Sequence, residues 1–239
     1  MRTLIVSDVH GNWPALEAVL AEPHDAIVCL GDLVGYGPEP AAVVRWARTS
    51  RGVSILGNHD RSAAEGTPPG CREEFRWVAD AVAPLGRAQL AAEDLAYLAQ
   101  LPRFASLDFL GAGWACVHAS PRDSLYRYVG PSAGEWTLEL TGTNAQVLFV
   151  GHTHVQFDLM ADRTRVINPG SVGQPKDGDP RAAYALVEDG RVSFKRVAYP
   201  IEETIRLLRE RSVADDAVAF LAALLRTGRT PPDGTDRHR

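Results

Sequence analysis

Aspartate, asparagine and histidine recur in five short motifs, and each motif follows a run of apolar residues. In chain order the motifs are Asp8-Val9-His10, Gly31-Asp32, Gly57-Asn58-His59-Asp60, Val117-His118 and Gly151-His152-Thr153-His154. Carboxylate oxygen and neutral imidazole nitrogen together suit borderline divalent ions such as Mn, Fe, Zn, Co or Ni, whereas a site for Mg or Ca alone is nearly all oxygen. The residue types therefore predict a site for divalent ions of the first group.

The number of candidate ligands favours two ions over one. The candidates are Asp8, His10, Asp32, Asn58, His118, His152 and His154. In an extended segment, side chains two residues apart lie about 7 Å apart on the same face, so Asp8 and His10 can approach one ion. The same spacing lets His152 and His154 reach different ions of a pair that is about 3.5 to 4 Å apart. The count therefore predicts two divalent ions that share a bridging ligand.

Alternating strand and helix patterns position the first three motifs at strand ends. Apolar runs rich in β-branched residues at 3–6, 26–30 and 53–56 predict strands that are buried on both faces. Helical spacing at 13–21 and 40–48 lies between these runs, which indicates a βαβαβ unit with a parallel sheet. Ligands bind at the carboxyl ends of the strands in such sheets, so we expect the loops that carry the motifs to converge on one pocket.

The rest of the chain predicts more strands and more helices. A Gly/Pro loop followed by Ala/Leu/Glu-rich sequence predicts a helical insertion or cap over residues 62–103. Further strands are expected at 104–109, 114–117, 147–150, 155–159, 165–167, 182–187 and 192–197. Their close spacing and short turns indicate an antiparallel second half. We expect C-terminal helices at 201–226 to complete a single domain over 1–226, followed by a flexible tail at 227–239.

Composition and net charge limit the kinds of binding partner that the chain is expected to have. The chain has 239 residues, a net charge of −5 and 45% hydrophobic residues, which is typical of a globular protein. The negative charge argues against non-specific binding to nucleic acid or to an anionic membrane, but a bound metal can reverse the local sign for a phosphorylated substrate.

Cys29, Cys71 and Cys116 are far apart, so neither a disulfide framework nor a thiolate zinc site is expected. No apolar run reaches the length of a membrane span and no signal peptide is evident, so we expect a cytoplasmic protein.

The five motifs resemble those of the calcineurin-like metallophosphoesterase family, whose pattern is DxH, GDx, GNHD/E, an isolated H and GHxH. They occur here in the family's order over residues 8–154. The stretch GDLVGYGPEP from Gly31 to Pro40 and the Asn168-Pro169-Gly170-Ser171 turn are most similar to the compact bacterial and archaeal phosphodiesterase-like branch. The resemblance implies an α/β fold, a two-sheet β-sandwich flanked by helices in four αββα layers.

The resemblance also implies a role for each ligand by its position in the motifs. Asp8, His10 and His154 are expected on the first metal. Asn58, His118 and His152 are expected on the second, with Asp32 as the bridge. His59 is then the residue that contacts the phosphate and protonates the leaving oxygen.

Substrate contacts outside the motifs are less specific in sequence. Asn58 and His59 are substrate-binding candidates by motif position, and Arg61 and Arg122 lie near motif loops where they could hold a phosphate. Each arginine could equally be a surface cation. Tyr36 could stack on a base or sugar, or pack against the helical cap.

These features predict a metal-dependent phosphoesterase, with a phosphodiesterase acting on a small nucleotide or similar ester as the favoured activity. Two cations would activate a bridging water as the nucleophile and hold the phosphate oxygens. The alternatives within the enzyme class are a phosphomonoesterase, a protein phosphatase and a dinucleoside polyphosphate hydrolase. The alternative from another class is a catalytically silent scaffold with the same fold, which the complete ligand set argues against. The expected partner is a small phosphorylated substrate, and a homo-oligomer is left open.

Overall fold

The computed structural model describes residues 1–231, in which two five-stranded sheets pack face to face between layers of helices. The strands are β1 (Arg2–Val6), β2 (Ala26–Cys29), β3 (Val53–Ser54), β4 (Phe104–Ser106), β5 (Trp114–Val117), β6 (Val147–Phe149), β7 (Gln156–Ala161), β8 (Thr164–Pro169), β9 (Ala182–Glu188) and β10 (Arg191–Val197). The helices are α1 (Trp13–Leu20), α2 (Pro40–Thr49), α3 (Asn58–Glu65), α4 (Glu73–Arg87), α5 (Ala92–Gln100), α6 (Ala133–Glu139), α7 (Ile201–Glu210) and α8 (Asp215–Thr227). The predicted two-sheet α/β sandwich is confirmed.

The first sheet has the strand order β10-β9-β1-β2-β3. Strands β1, β2 and β3 are parallel, as the βαβαβ pattern predicts, and helices α1 and α2 form the two crossovers. Strand β9 pairs antiparallel with β1, and β10 forms a hairpin with β9. The hairpin turns at Asp189 and Gly190, which both have positive φ and so match the twist of the flanking strands.

The second sheet has the order β4-β5-β6-β8-β7, and its centre corrects the prediction of an antiparallel second half. Strands β5, β6 and β8 are parallel to one another, and only the edge strands β4 and β7 are antiparallel to their neighbours. The reason is the connection from β5 to β6, which is long enough to cross over and contains α6, a helix that the sequence pattern did not predict.

Apolar side chains of the central strands are buried on both faces of each sheet. On β1, Ile5 points between the two sheets, where it packs in one cluster with Phe149 of β6 and Ile167 of β8. Its neighbours Leu4 and Val6 point to the other face and pack with the helices of the outer layer. Because both faces are covered, the strand sequences are continuously apolar instead of alternating.

Two predicted strands are shorter in the structure by two or more residues. Strand β3 stops at Ser54 because the chain leaves the sheet, and the Leu56 N–H donates to the Pro102 carbonyl at 2.8 Å. Strand β4 stops at Ser106 because the next residues form a turn, in which the Leu110 N–H donates to the Leu107 carbonyl at 2.8 Å.

The helical segments predicted at 62–103, after the first three strands, and at 201–226 are present. Helix α5 packs against α2 and α3, whereas α4 packs against α8, which in turn packs against α7. Helix α8 ends at Thr227 with the left-handed Gly228 as its cap, and most of the predicted tail, 232–239, lies outside the described residues. Within residues 1–231 no helix has the length and apolar character that a membrane crossing requires.

Asn12 joins three parts of the structure behind the first motif. Its Oδ1 atom accepts the Ala15 N–H at 3.3 Å, which caps α1, and the Thr204 hydroxyl of α7 at 2.9 Å. Its Nδ2 atom donates to the Gly173 carbonyl at 2.9 Å. The side chain is buried, so each of these groups would lose a partner without access to water if the amide were removed.

We therefore expect Asn12→Ala to lower the free energy of unfolding by roughly 2 kcal/mol or more, through loss of the cap and the buried hydrogen bonds. Urea denaturation followed by circular dichroism measures this change. The control is Asn144→Ala at an exposed position, which should change the value by less than about 0.5 kcal/mol. Equal effects of the two substitutions would contradict the role of Asn12.

Candidate metal centre

The five motifs meet at the carboxyl ends of parallel strands from both sheets. Asp8 follows β1 and Asp32 follows β2, while His118 follows β5 and His152 follows β6. Asn58 is the first residue of α3. All seven candidate ligands lie in this cluster, and none of them is more than 3% exposed. The convergence that the sequence predicts is therefore present.

The ligand atoms form three groups of three, which overlap because His10 and Asp32 each belong to two of them. In one group, atoms of Asp8, His10 and His154 all lie within 4.8 Å of one another; the other two groups are Asp32 with His118 and His152, and Asp32 with His10 and His59. Each group has the size and composition of a site for one divalent ion.

Each carboxylate uses one oxygen to hold a loop and points the other into the cluster. Asp8 Oδ2 accepts the His152 N–H at 3.1 Å, and Oδ1 lies 3.4 Å from His154 Nε2. Asp32 Oδ1 accepts the His59 N–H at 2.9 Å, and Oδ2 lies 3.4 Å from His118 Nε2. The same two side chains therefore position the loops and offer an anionic oxygen to a cation.

Backbone carbonyls fix the tautomers of three histidines. The Nδ1 atoms of His10, His118 and His154 lie 3.1, 2.7 and 2.6 Å from the carbonyl oxygens of Val34, Leu30 and Gln174. A carbonyl oxygen can only accept, so Nδ1 must carry the proton in each ring. In a neutral ring, Nε2 then presents its lone pair to the cluster, as metal-ligating histidines commonly do.

Asn58 is oriented in a similar way. Its Nδ2 atom donates to the Pro69 carbonyl at 2.8 Å, which leaves Oδ1 facing the cluster, 3.1 Å from His118 Nε2. An amide oxygen in this position is an additional neutral ligand for a divalent ion.

Several polar atoms at the centre have no hydrogen-bond partner within the described chain. Asp8 Oδ1 and His152 Nε2 are buried without one. The Nε2 atoms of His10 and His154 face each other at 3.1 Å, although both rings carry their fixed proton on Nδ1. Buried polar atoms are rarely left unpaired, and carboxylate oxygen and imidazole nitrogen are both groups that can donate an electron pair to a metal. The site therefore fits a divalent cation.

The backbone at the cluster is strained. Asp8, His10, Asp32, His152 and His154 all have φ between 51° and 64°, in the left-handed region that non-glycine residues seldom adopt. Each costs about 1 to 2 kcal/mol. Hydrogen bonds between the loops hold this conformation, including the Asp8 N–H to the Gly31 carbonyl and the His10 N–H to the Asp32 carbonyl. Such strain concentrates at functional sites.

Two glycines allow the loops to approach so closely. A Cβ on Gly57 would overlap the Asp32 carboxylate, and a Cβ on Gly35, where φ is +143°, would overlap the His10 ring. These positions explain why glycine stands beside the ligands in the motifs.

Burial and neighbouring charges give the cluster its protonation states. Burial alone would raise the pKa of Asp32, but His118 and His59 lower it well below its usual value. Burial lowers the pKa of His10 and His152 well below the usual value. Burial would also lower the pKa of His118, but the Asp32 carboxylate raises it to about 9. Ionised carboxylates and neutral imidazoles are the forms that bind metal, and a cation would displace the proton of His118.

Of the residues predicted to contact the substrate, two lie beside the cluster and two do not. His59 and Tyr36 border the cluster: the His59 ring centroid is 4.9 Å from that of His10 and 4.8 Å from that of Tyr36. Arg61 and Arg122 are not brought there. The Arg61 guanidinium pairs with Glu65 at 2.9 Å, and Arg122 is exposed, without a side-chain hydrogen bond or ion pair in residues 1–231.

Asp60 is fully buried and supports the loops without facing the ligands. Its Oδ1 atom accepts the Val34 N–H and its Oδ2 atom accepts the Gly57 N–H, both at 3.1 Å. Burial and the nearby Asp32 raise its pKa to about 7. Asp60 therefore ties the second motif loop to the third.

Sequence reasoning missed two residues beside the cluster. The Tyr128 ring stacks on His152 with centroids 3.8 Å apart, and the Arg72 guanidinium lies 4.5 Å from the Tyr128 centroid. The Lys176 backbone N–H donates to the carbonyl of the candidate ligand His154 at 3.2 Å, and the Lys176 ammonium lies 3.8 Å from the Phe75 ring centroid. Tyr128 comes from an irregular loop with no periodic pattern, and only the rarity of lysine in this chain could have drawn attention to Lys176.

The chain is similar over most of its length to several known proteins. A solved metallophosphoesterase from Sphaerobacter thermophilus is similar with a TM-score of 0.82 and 37% identity, over 95% of this chain and 99% of that one. An uncharacterised protein of Methanocaldococcus jannaschii is 30% identical over 83% of this chain and 88% of its own length. The phosphodiesterase YfcE of Escherichia coli is 27% identical over 81% of this chain and 90% of its own length.

The family model of the calcineurin-like phosphoesterase superfamily domain matches residues 1–190, which contain all five motifs. The resemblance carried by the motifs is thereby confirmed. The chain belongs to the calcineurin-like phosphoesterase superfamily.

Proposed function

We propose that the protein is a phosphodiesterase that hydrolyses a small phosphate ester with the help of two divalent ions. The observation that carries the proposal is the convergence of two carboxylates, an amide and four imidazoles at buried strand ends, with Asp8 Oδ1 and His152 Nε2 left without a hydrogen-bond partner in the described chain. A cation at each group would satisfy these atoms and balance the buried negative charge.

In this proposal the ligands divide between two ions. Asp8, His10 and His154 hold one ion, and Asn58, His118 and His152 hold the other, with Asp32 between them. The division is supported by the groups of atoms that lie within 4.8 Å of one another and by the orientation of Asn58 Oδ1. Asp32 can reach both ions, because its Oδ2 atom lies 3.4 Å from Nε2 of His118, a ligand of the second ion, and 3.7 Å from Nε2 of His10, a ligand of the first.

Two bound ions would supply a water of lowered pKa and positive charge for the phosphate oxygens. His59 would contact the phosphate, and the negative charge of the bound substrate would raise its pKa from the value of about 4 that burial gives, so that the ring takes up a proton and passes it to the leaving oxygen. The Asp32 carboxylate holds the His59 backbone, and Tyr36 packs against its ring, so both residues orient it. Asn58 would be both a ligand and a substrate contact.

The other expected activities remain alternatives of lower rank. A diester is preferred to a monoester because YfcE, a relative over most of both chains, is named a phosphodiesterase. A silent scaffold is disfavoured because every candidate ligand is present and lies in the cluster. Manganese as the native ion, a cytoplasmic location and homo-oligomerisation stay predictions.

We expect the purified protein to hydrolyse bis(p-nitrophenyl) phosphate faster than p-nitrophenyl phosphate in the presence of Mn²⁺, because the relative YfcE, similar over most of both chains, is named a phosphodiesterase. Release of p-nitrophenolate measures both rates. Removal of divalent ions by a chelator should abolish both reactions, and added Mn²⁺ should restore them. Full activity after chelation would contradict the proposed metal dependence.

A matched pair of variants tests the cluster itself. Asp32→Asn should lower kcat/KM by roughly 100-fold or more, since even a residue that only supports a metal ligand is worth about 10 to 100-fold. Asp108→Asn makes the same change at an exposed position and should leave the rate unchanged. Equal rates for the two variants would remove Asp32 from the site.

We expect His59→Ala to keep its metal and to lower kcat by about 100-fold or more, the usual scale of general acid catalysis. Steady-state kinetics and elemental analysis of the same sample measure the two quantities. His24→Ala, at a histidine away from the cluster, is the control and should match the wild type. An unchanged kcat at full metal content would exclude His59 from the reaction.

A further inference from the structure

A cavity of about 340 Å³ lies beside the candidate metal centre, between α3, the loop that follows it and α4. His59 and Gly35 form part of its wall. Both residues also touch the cluster, because the His59 ring lies 4.9 Å from that of His10 and Gly35 packs directly on the His10 ring. The cavity therefore adjoins the place where the proposal above puts the reacting phosphate.

Helix α4 has an unfavourable sequence where it borders the cavity. Pro84 lies inside the helix and Gly86 follows it, although proline costs about 3 kcal/mol and glycine about 1 kcal/mol in a helix interior. Residues that break a local rule in this way concentrate at functional positions. A Cβ at Gly86 would make only ordinary contacts, the nearest at 3.8 Å to the Gly35 carbonyl oxygen, so packing alone does not require glycine at this position.

Asp80 contributes two hydrogen-bond acceptors to this wall, its backbone carbonyl and its carboxylate. The proline at position 84 has no N–H, so the Asp80 carbonyl lacks the partner that a regular helix would provide. The Asp80 side chain is solvent-exposed, and its carboxylate has no hydrogen bond or ion pair within residues 1–231, so it can accept hydrogen bonds from a ligand in the cavity that it lines. Hydrogen-bond acceptors are thus available to a ligand that brings hydroxyl or amino groups.

Most of the remaining wall is small and apolar, although Ser62, Thr67 and Arg87 also line it. The apolar part is formed by Ala63, Pro68, Pro69, Ala83 and Leu90 among others. The volume lies within the range of about 300 to 1,000 Å³ that small-molecule sites occupy. A flat ring system that carries hydroxyl groups, of the size of a nucleoside, matches both the apolar surface and the acceptors of Asp80.

We propose that this cavity binds a nucleoside-sized organic group esterified to the substrate phosphate, which makes the wall of α4 the determinant of substrate specificity. The proposal rests on the phosphodiesterase function proposed above, since the phosphate must lie at the metal centre. Pro69 connects the cavity to the metal centre, because it is one of the lining residues and its carbonyl accepts the hydrogen bond that orients Asn58.

Two diesters with the same leaving group test the proposal. One is thymidine 5′-(p-nitrophenyl) phosphate and the other is methyl p-nitrophenyl phosphate, so they differ only in the group that would enter the cavity. We expect the wild type to show a kcat/KM for the thymidine ester that is at least about tenfold higher, as is usual when a pocket accepts an additional apolar group. In Ala83→Phe, which fills the cavity, this preference should disappear while the methyl ester is hydrolysed as before.

Ala88→Phe is the matched control, because it makes the same change at an exposed position at the end of α4 that does not line the cavity. It should retain the preference for the thymidine ester. Asp80→Ala removes the acceptor without filling the space, and should raise KM for the thymidine ester alone. If Ala83→Phe does not fold, Asp80→Ala still tests the proposal.

A binding measurement separates this proposal from the proposed activity. Saturation-transfer NMR with thymidine itself should detect binding to the wild type and to Ala88→Phe, but not to Ala83→Phe. If neither ester is hydrolysed and this binding pattern is still seen, the phosphodiesterase proposal fails and the cavity site stands. Absence of thymidine binding to the wild type, equal binding to all variants, or an equal loss of rate for both esters would overturn the proposal.

Discussion

The structure depends on the burial of two carboxylates among five imidazoles at one point where water is almost excluded. Asp8 and Asp32 are fully enclosed, and both remain ionised because neighbouring histidines hold the pKa of each below its usual value. Buried charge is tolerated only when it is paired and hydrogen-bonded. The backbone N–H groups of His59 and His152 satisfy one oxygen of each carboxylate, and the other oxygen points into the cluster. This arrangement is suited to a divalent cation.

The two-sheet sandwich is what makes such a cluster possible. Each sheet contributes parallel central strands whose carboxyl ends lie at the same edge, and the apolar layer between the sheets holds the two edges together. Left-handed backbone at five of the candidate ligands is unfavourable in isolation, so the packed strands and the hydrogen bonds between loops must maintain it. Asp60 and Asn12 act in the same way from outside the cluster, by tying the motif loops to each other and to the helices.

The local patterns that predict the site are strong because ligand chemistry restricts residue type. Carboxylates and histidines after apolar runs indicate strand-end ligands, and the structure brings all seven together. Features set by long-range packing had no such local signal. The parallel centre of the second sheet depends on how the chain crosses between β5 and β6, and the stacking of Tyr128 on His152 depends on an irregular loop. The sequence indicates the cavity beside His59 only indirectly, through a proline and a glycine in the segment that forms α4.

Anomalous X-ray diffraction from crystals grown with Mn²⁺ tests most directly whether the buried cluster is a dinuclear metal centre. Data collected on both sides of the manganese absorption edge should reveal two peaks per chain. We predict one peak among Asp8, His10 and His154 and the other among Asn58, His118 and His152, with the Asp32 carboxylate between them. A single peak, peaks elsewhere in the chain, or an empty cluster at saturating Mn²⁺ would contradict the proposed centre.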